Sequence, residues 1–231
     1  MKRATFIVLS VSISALATAA AAAQQGALPV LLQTALQPPA ASAHLYAYDF
    51  VSVSTGRDPS TVRGRIDPSL PEGKRVTITE AIGEKANAKK IDKRMEKNAD
   101  GDIWCDRMSG GAAGPVRELA PRDGGRVFSF VPKAKEDAEK EEQKLYEQLT
   151  AEVLVDETTR TVREFTARLR EPWKPAVIAK LDSMTMVAEC ALAPNGRAYM
   201  LRSTTTVAGS ALGTDFDTQF TQTISNLREV R

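Results

Sequence analysis

Three groups of residues in this 231-residue sequence have the types that do chemistry: one histidine, two cysteines and one acidic run with oxygen ligands at alternate positions. The histidine is His44. Any Ser-His-Asp or Cys-His catalytic set would have to use it, and a surface or capping role suits it better. Gly-x-Ser-x-Gly, Ser-x-x-Lys and His-Glu-x-x-His motifs do not occur. The 29 acidic residues contain no pair that spacing singles out for glycoside chemistry. The run from Glu96 through Asn98, Asp100 and Asp102 to Ile103 resembles the first two thirds of an EF-hand loop. Its first position is Glu, and its twelfth, where a bidentate Glu belongs, is Arg107. The run therefore reads as a polar helix-to-strand turn. No catalytic residue, metal site or cofactor is expected.

The cysteines, Cys105 and Cys190, depend on compartment for their meaning. Lys2 and Arg3, an apolar stretch from Phe6 to Leu16, and small residues from Ala17 to Ala23 have the layout of a secretory signal peptide over residues 1–23. The apolar core is short and broken by Ser10, Ser12 and Ser14, a poor membrane anchor. No Cys follows it, so the lipobox of an acylated lipoprotein is missing. In an oxidising compartment a Cys105–Cys190 disulfide is expected. Two buried thiols or an intermolecular pair are the alternatives.

Loss of Lys2 and Arg3 would leave 29 basic against 29 acidic residues, so nothing in the charge argues for nucleic-acid binding. Residues 24–43 read as a linker: Leu28, Leu31, Leu32 and Ala35 space out two helical turns, and Pro38-Pro39 followed by small residues reads as extended. Residues 44–231 are enough for one domain with a proper core.

That domain reads mainly as antiparallel strands. Tyr46, Tyr48 and Phe50 alternate and then give way to Val51 and Val53, which a bulge near Phe50 would explain. Strands are also expected around Val76–Ile78, Val127–Val131, Leu149–Val155, Phe165–Leu169, Met184–Leu192, Tyr199–Val207 and Phe216–Val230. Pro172-Trp173-Lys174-Pro175 reads as a stiff corner, Pro194-Asn195-Gly196-Arg197 as a hairpin, and Gly209 with Gly213 as a Gly-rich turn. From Leu149 onward there is no room for crossover helices, which excludes a doubly wound parallel fold. Two charged stretches interrupt the strands. Glu84–Lys97 reads as a helix with Lys85, Lys89, Lys93 and Lys97 on a solvated ladder. Lys133–Lys144 reads as a loop or exposed helical turn.

The segment Arg65–Thr77, with its Asp67-Pro68-Ser69 turn and Pro71-Glu72-Gly73 turn, resembles a motif of uncharacterised exported proteobacterial proteins. The second half, with Leu154-Val155-Asp156, the polar turn Thr158–Arg160, the strand Val162–Arg170 and the corner Pro172–Pro175, is similar to the lipoprotein carrier LolA and its relatives LolB and RseB. The resemblance implies an α+β fold, mainly antiparallel β: an unclosed half-barrel with helices on its concave side, whose cavity takes acyl chains or another lipidic or protein ligand. No functional residue carries over position by position, and the missing acylated Cys argues against the acceptor role of LolB.

Apolar residues at facing strand positions, Phe165, Leu169, Met184 and Met186, are candidates to line that cavity, or equally to fill the core. Methionines suit a pliable lining. The sequence thus points to a periplasmic, non-catalytic protein that binds a lipid or lipoprotein acyl chains. The alternative is an envelope interaction, sensor or assembly protein without a small ligand.

Overall fold

The structure is a computed structural model, and it describes residues 28–37, 45–83, 95–96, 103–108, 111–134, 138–176 and 178–230. The signal-peptide stretch, Pro38-Pro39, His44, most of the expected helix Glu84–Lys97 with Lys85, Lys89, Lys93 and Lys97, and positions 97–102 of the EF-hand-like run lie outside these residues.

Among the described residues, eleven strands form one sheet: β1 Leu45–Gly56, β2 Ser60–Ile66, β3 Val76–Ile82, β4 Arg117–Glu118, β5 Gly125–Phe130, β6 Leu149–Asp156, β7 Val162–Leu169, β8 Trp173–Ala176, β9 Ala179–Leu192, β10 Ala198–Ala211 and β11 Thr214–Val230. The order across the sheet is β3-β2-β1-β11-β10-β9-β7-β6-β5-β4, with β8 paired beside β9. Each pairing is antiparallel. The first and last strands of this order are edges, so the sheet is unclosed. This is the mainly antiparallel α+β half-barrel that the sequence led us to expect. Two helices accompany it, α1 Val30–Leu36 and α2 Lys140–Glu147.

Strand alternation gives the sheet two unlike faces. One carries the core in two clusters. The first gathers Phe128, Phe130, Leu149, Val153, Val155, Phe165 and Ala188 under α1, which buries Leu32 and Ala35 there. The second gathers Tyr46, Tyr48, Phe50, Ile66, Val76 and Ile224 with Ile103 and Trp104. The other face is mixed: Val127 and Leu154, opposite each other, are buried on it, whereas Arg63 pairs there with Glu80 at 2.6 Å and Arg65 with Asp49 at 2.8 Å, and Thr204 lies opposite Thr221.

Helix α1 has seven residues and no side-chain cap at either end. A helix that short is marginal alone, so the burial of Leu32 and Ala35 is what holds it. Helix α2 has no fully buried side chain, and its Leu145 packs half-buried against the first cluster. It forms at the end of the charged stretch that was expected to be a loop or a helical turn.

Three local readings change. The register break in β1 does not lie at Phe50. It falls between Ala47 and Asp49, opposite an extra residue in β11, where Asn226 takes φ 53° and donates to Asp49 Oδ2 at 2.7 Å. Asn tolerates that left-handed conformation through its short polar side chain. Tyr46, Tyr48 and Phe50 are all buried in the second cluster, and Val51 and Val53 simply face the other way. The Pro172–Pro175 corner contains a strand, β8, tolerated because it pairs on one side as a short edge segment. Gly209 is not in a turn but inside β10. A Cβ there would lie 2.2 Å from the Lys180 carbonyl oxygen and 3.0 Å from the Phe216 ring. The turn that follows is Leu212-Gly213.

Candidate functional site

Among the described residues, the core-bearing face is closed at one end and open at the other. The closing element is a strap at Ile103–Arg107, and four successive residues of it are fixed to the β9–β10 hairpin. The Ile103 carbonyl accepts from Met200 N at 2.7 Å. Trp104 forms a β-bridge with Tyr199. Cys105 is disulfide-bonded to Cys190, 85 residues away in sequence. Asp106 receives Arg197 Nε and Nη2, each at 2.6 Å. The Arg197 guanidinium also lies over the Trp104 ring, 4.3 Å from its centroid, a geometry that adds cation–π attraction.

The hairpin presents its edge because β10 pairs with β11 only from Arg202–Thr223 to Ala211–Thr214. Beyond Arg202, Tyr199 and Met200 take the strap instead. The strap and α1 together cover the end of the face that holds both core clusters. The disulfide is therefore intramolecular, and among the described residues no cysteine is free.

Away from the strap, β9, β10 and β11 run on as the longest strands, of 14, 14 and 17 residues. Their core-side residues form three rows across the sheet. Met186 lies opposite Ala167 on β7 and Thr205 on β10, and Thr205 opposite Phe220. Met184 lies opposite Val207, and Val207 opposite Thr218. Trp173 lies opposite Leu181, Leu181 opposite Gly209, and Gly209 opposite Phe216. Met184, Met186, Val207, Leu181, Phe216 and Trp173 are each only half-buried, and Phe220 is 40% exposed. The result is an apolar strip with a methionine on each of two rows and an aromatic ring at three of its margins.

The sequence candidates divide across this boundary. Met184 and Met186 are brought together on the strip. Phe165, 1% exposed, is packed into the first core cluster between Val153 and Ala188. Leu169 is partly buried against the same cluster, opposite Leu149. Trp173, Leu181, Val207, Phe216 and Phe220 were not singled out from the sequence. The signal for most of them was the alternation in β10 and β11, read as a meander without asking which face stays uncovered.

Two hollows lie off the strip, one beside it and one at the strap end. One, about 690 Å³, is at the β1–β2 turn and is lined by Ser54, Arg57, Ser60, Thr61 and Ile82 among others; Ser54 is the cross-strand neighbour of Phe220. The other, about 490 Å³, lies between α1 and the β9–β10 turn, and the Asp106–Arg197 pair that lines it is already mutually satisfied.

Hydrogen bonds from Arg65 and then Asn226 hold the Asp49 carboxyl below its ordinary range. The Asp156 carboxyl is held down chiefly by the Thr159 backbone N–H in the polar turn after β6. Burial pushes the Tyr46 phenol up, with the Glu229 charge adding to it. Glu96 of the EF-hand-like run spends its carboxylate on backbone donors: Oε1 accepts from Gly73 N at 2.7 Å and Oε2 from Val76 N at 3.0 Å. That carboxylate ties the run to the start of β3. Among the described residues, no three His, Cys, Asp or Glu side chains gather as metal ligands, and no helix is long and apolar enough to cross a membrane.

The fold thus defines an unclosed antiparallel half-barrel, strapped by a disulfide at one end of its core-bearing face. Compared with protein-family models, curated proteins and solved structures, the chain finds no significant match.

Proposed function

We propose that the protein is a non-catalytic cell-envelope binder of a hydrophobic ligand, a lipid or the acyl chains of a lipoprotein, and that it works in the periplasm. The observation that carries this reading is the half-buried strip of Met184, Met186, Val207, Leu181, Phe216 and Phe220 on the core-bearing face. Such a surface costs hydration free energy unless something covers it. Methionine side chains are unbranched and polarizable, so they adapt to chains of different length and saturation. The intramolecular disulfide supports an oxidising compartment, and the resemblance to LolA and RseB points the same way.

The test is extraction of the purified protein with organic solvent, followed by mass spectrometry, alongside titration with a fluorescent fatty acid. Saturable uptake near one chain per protein is expected. Phe220→Glu, at an exposed position that tolerates a charge, should weaken uptake about tenfold with the melting temperature unchanged. Absence of uptake by the wild-type protein would leave the partner-binding alternative as the better reading.

A further inference from the structure

The β10–β11 hairpin is closed by a two-residue loop, Leu212-Gly213, with φ 53° and 74°. Two-residue loops with both residues at positive φ are type I′ turns, in which Asn-Gly or Asp-Gly is the usual pair. Leucine gains nothing there from local hydrogen bonding and carries the steric cost of a left-handed conformation. Its side chain is 77% exposed. The Leu212 N–H donates to the Ile178 carbonyl at 2.8 Å, which sets the tip beside the β8–β9 turn, and Ile178 is itself 62% exposed. A strained residue and an exposed aliphatic pair therefore coincide at the far end of the longest strands, next to the row Trp173–Leu181–Gly209–Phe216.

We infer that this tip is a lipid-surface contact: Leu212 and Ile178 partition into the boundary between head groups and acyl chains. Two aliphatic side chains fall well short of the roughly 800 Å² per partner that a specific protein interface buries. Interfacial lipid binding scales with the apolar area inserted rather than with shape complementarity, so a small apolar tip gives weak, reversible attachment. Lys180 is neutralised by Asp182 at 2.5 Å, and Asp215 follows the turn, so the attraction is apolar rather than electrostatic. The tip adjoins the last row of the strip: Ala211 pairs with Thr214 between the turn and the Gly209–Phe216 pair. The inference rests on the lipid reading above for its choice of partner.

The test is co-sedimentation of the purified protein with vesicles of phosphatidylethanolamine and phosphatidylglycerol, at low and high salt. Binding should be salt-insensitive. Leu212→Asn relieves the backbone cost, so its melting temperature should be unchanged or higher, while vesicle binding falls about tenfold. Ile178→Ser should act in the same direction without the gain in stability. Uptake of the fluorescent fatty acid from detergent should be unaffected in both variants, which separates failure of the tip from failure of the strip. The inference is overturned if the wild-type protein ignores the vesicles, or if Leu212→Asn with Ile178→Ser binds them as well as wild type. It is equally overturned if these substitutions abolish self-association and not vesicle binding.

Discussion

Arg197 grips Asp106 with two nitrogens at 2.6 Å across 91 residues of sequence, and both side chains are more than nine-tenths buried. A buried pair of this kind is weak evidence for net stability, because desolvation offsets much of the attraction. Breaking it from one side is a different matter. Arg197→Ala leaves a buried carboxylate without a partner and should cost about 3–5 kcal/mol in urea unfolding. Replacing both residues, as Asp106→Leu with Arg197→Met, should recover much of that loss. A single substitution costing under 1 kcal/mol would show that the pair does not hold the strap.

The neighbouring disulfide closes a loop of 85 residues. In the loop-entropy account, a link of that span stabilises by about 4.6 kcal/mol. Reduction, or Cys105→Ala with Cys190→Ala, should lower the denaturation midpoint correspondingly. The strap should open first, so Trp104 fluorescence should change before the strands exchange their amides.

Tyr46 presents a buried hydroxyl that forms no well-aligned hydrogen bond among the described residues, with the Asn195 backbone in reach, while its ring meets Trp104 edge-on at 5.5 Å. A buried polar atom left unsatisfied costs about 1–3 kcal/mol. Tyr46→Phe keeps the ring contact and removes the oxygen, so it should raise stability by about 1 kcal/mol in thermal or urea unfolding. Destabilisation by that substitution would mean the hydroxyl has a partner in solution.

Asp49 and Asp156 both have carboxyls held below the ordinary value in the folded chain. Their stabilisation is fully present above the unfolded value near 3.9 and is lost as pH falls through the lower folded values. Stability should therefore fall with acid below about pH 5, and the slope should be shallower in Asp49→Asn. A slope unchanged by that substitution would contradict the role of the Arg65 and Asn226 contacts.

Much of the sheet was legible in the sequence because period-two alternation survives in Leu149–Val155, Phe165–Leu169 and Met184–Cys190, where one face is buried. The disulfide was legible from compartment and pairing arithmetic. The strap was not: Ile103–Arg107 has no periodicity, and its role comes from where β10 leaves β11, a tertiary fact. Nor was the fate of Phe165 legible, since a core residue and a lining residue have the same chemistry. The bulge was misplaced because the extra residue sits in β11, at Asn226, and only its effect shows in β1. Gly209 read as a turn because the sequence does not show a carbonyl 2.2 Å from the Cβ it lacks.

The most direct test of the open strip uses the chain's two tryptophans, Trp104 within the strap and Trp173 at the strip's margin. A dibrominated fatty acid quenches indoles that it approaches closely. Titrated into the wild-type protein, it should quench part of the emission saturably, and Trp173→Phe should abolish that part while Trp104→Phe retains it. Unsaturable quenching, or quenching that survives Trp173→Phe and disappears with Trp104→Phe, would contradict a hydrophobic ligand on this face.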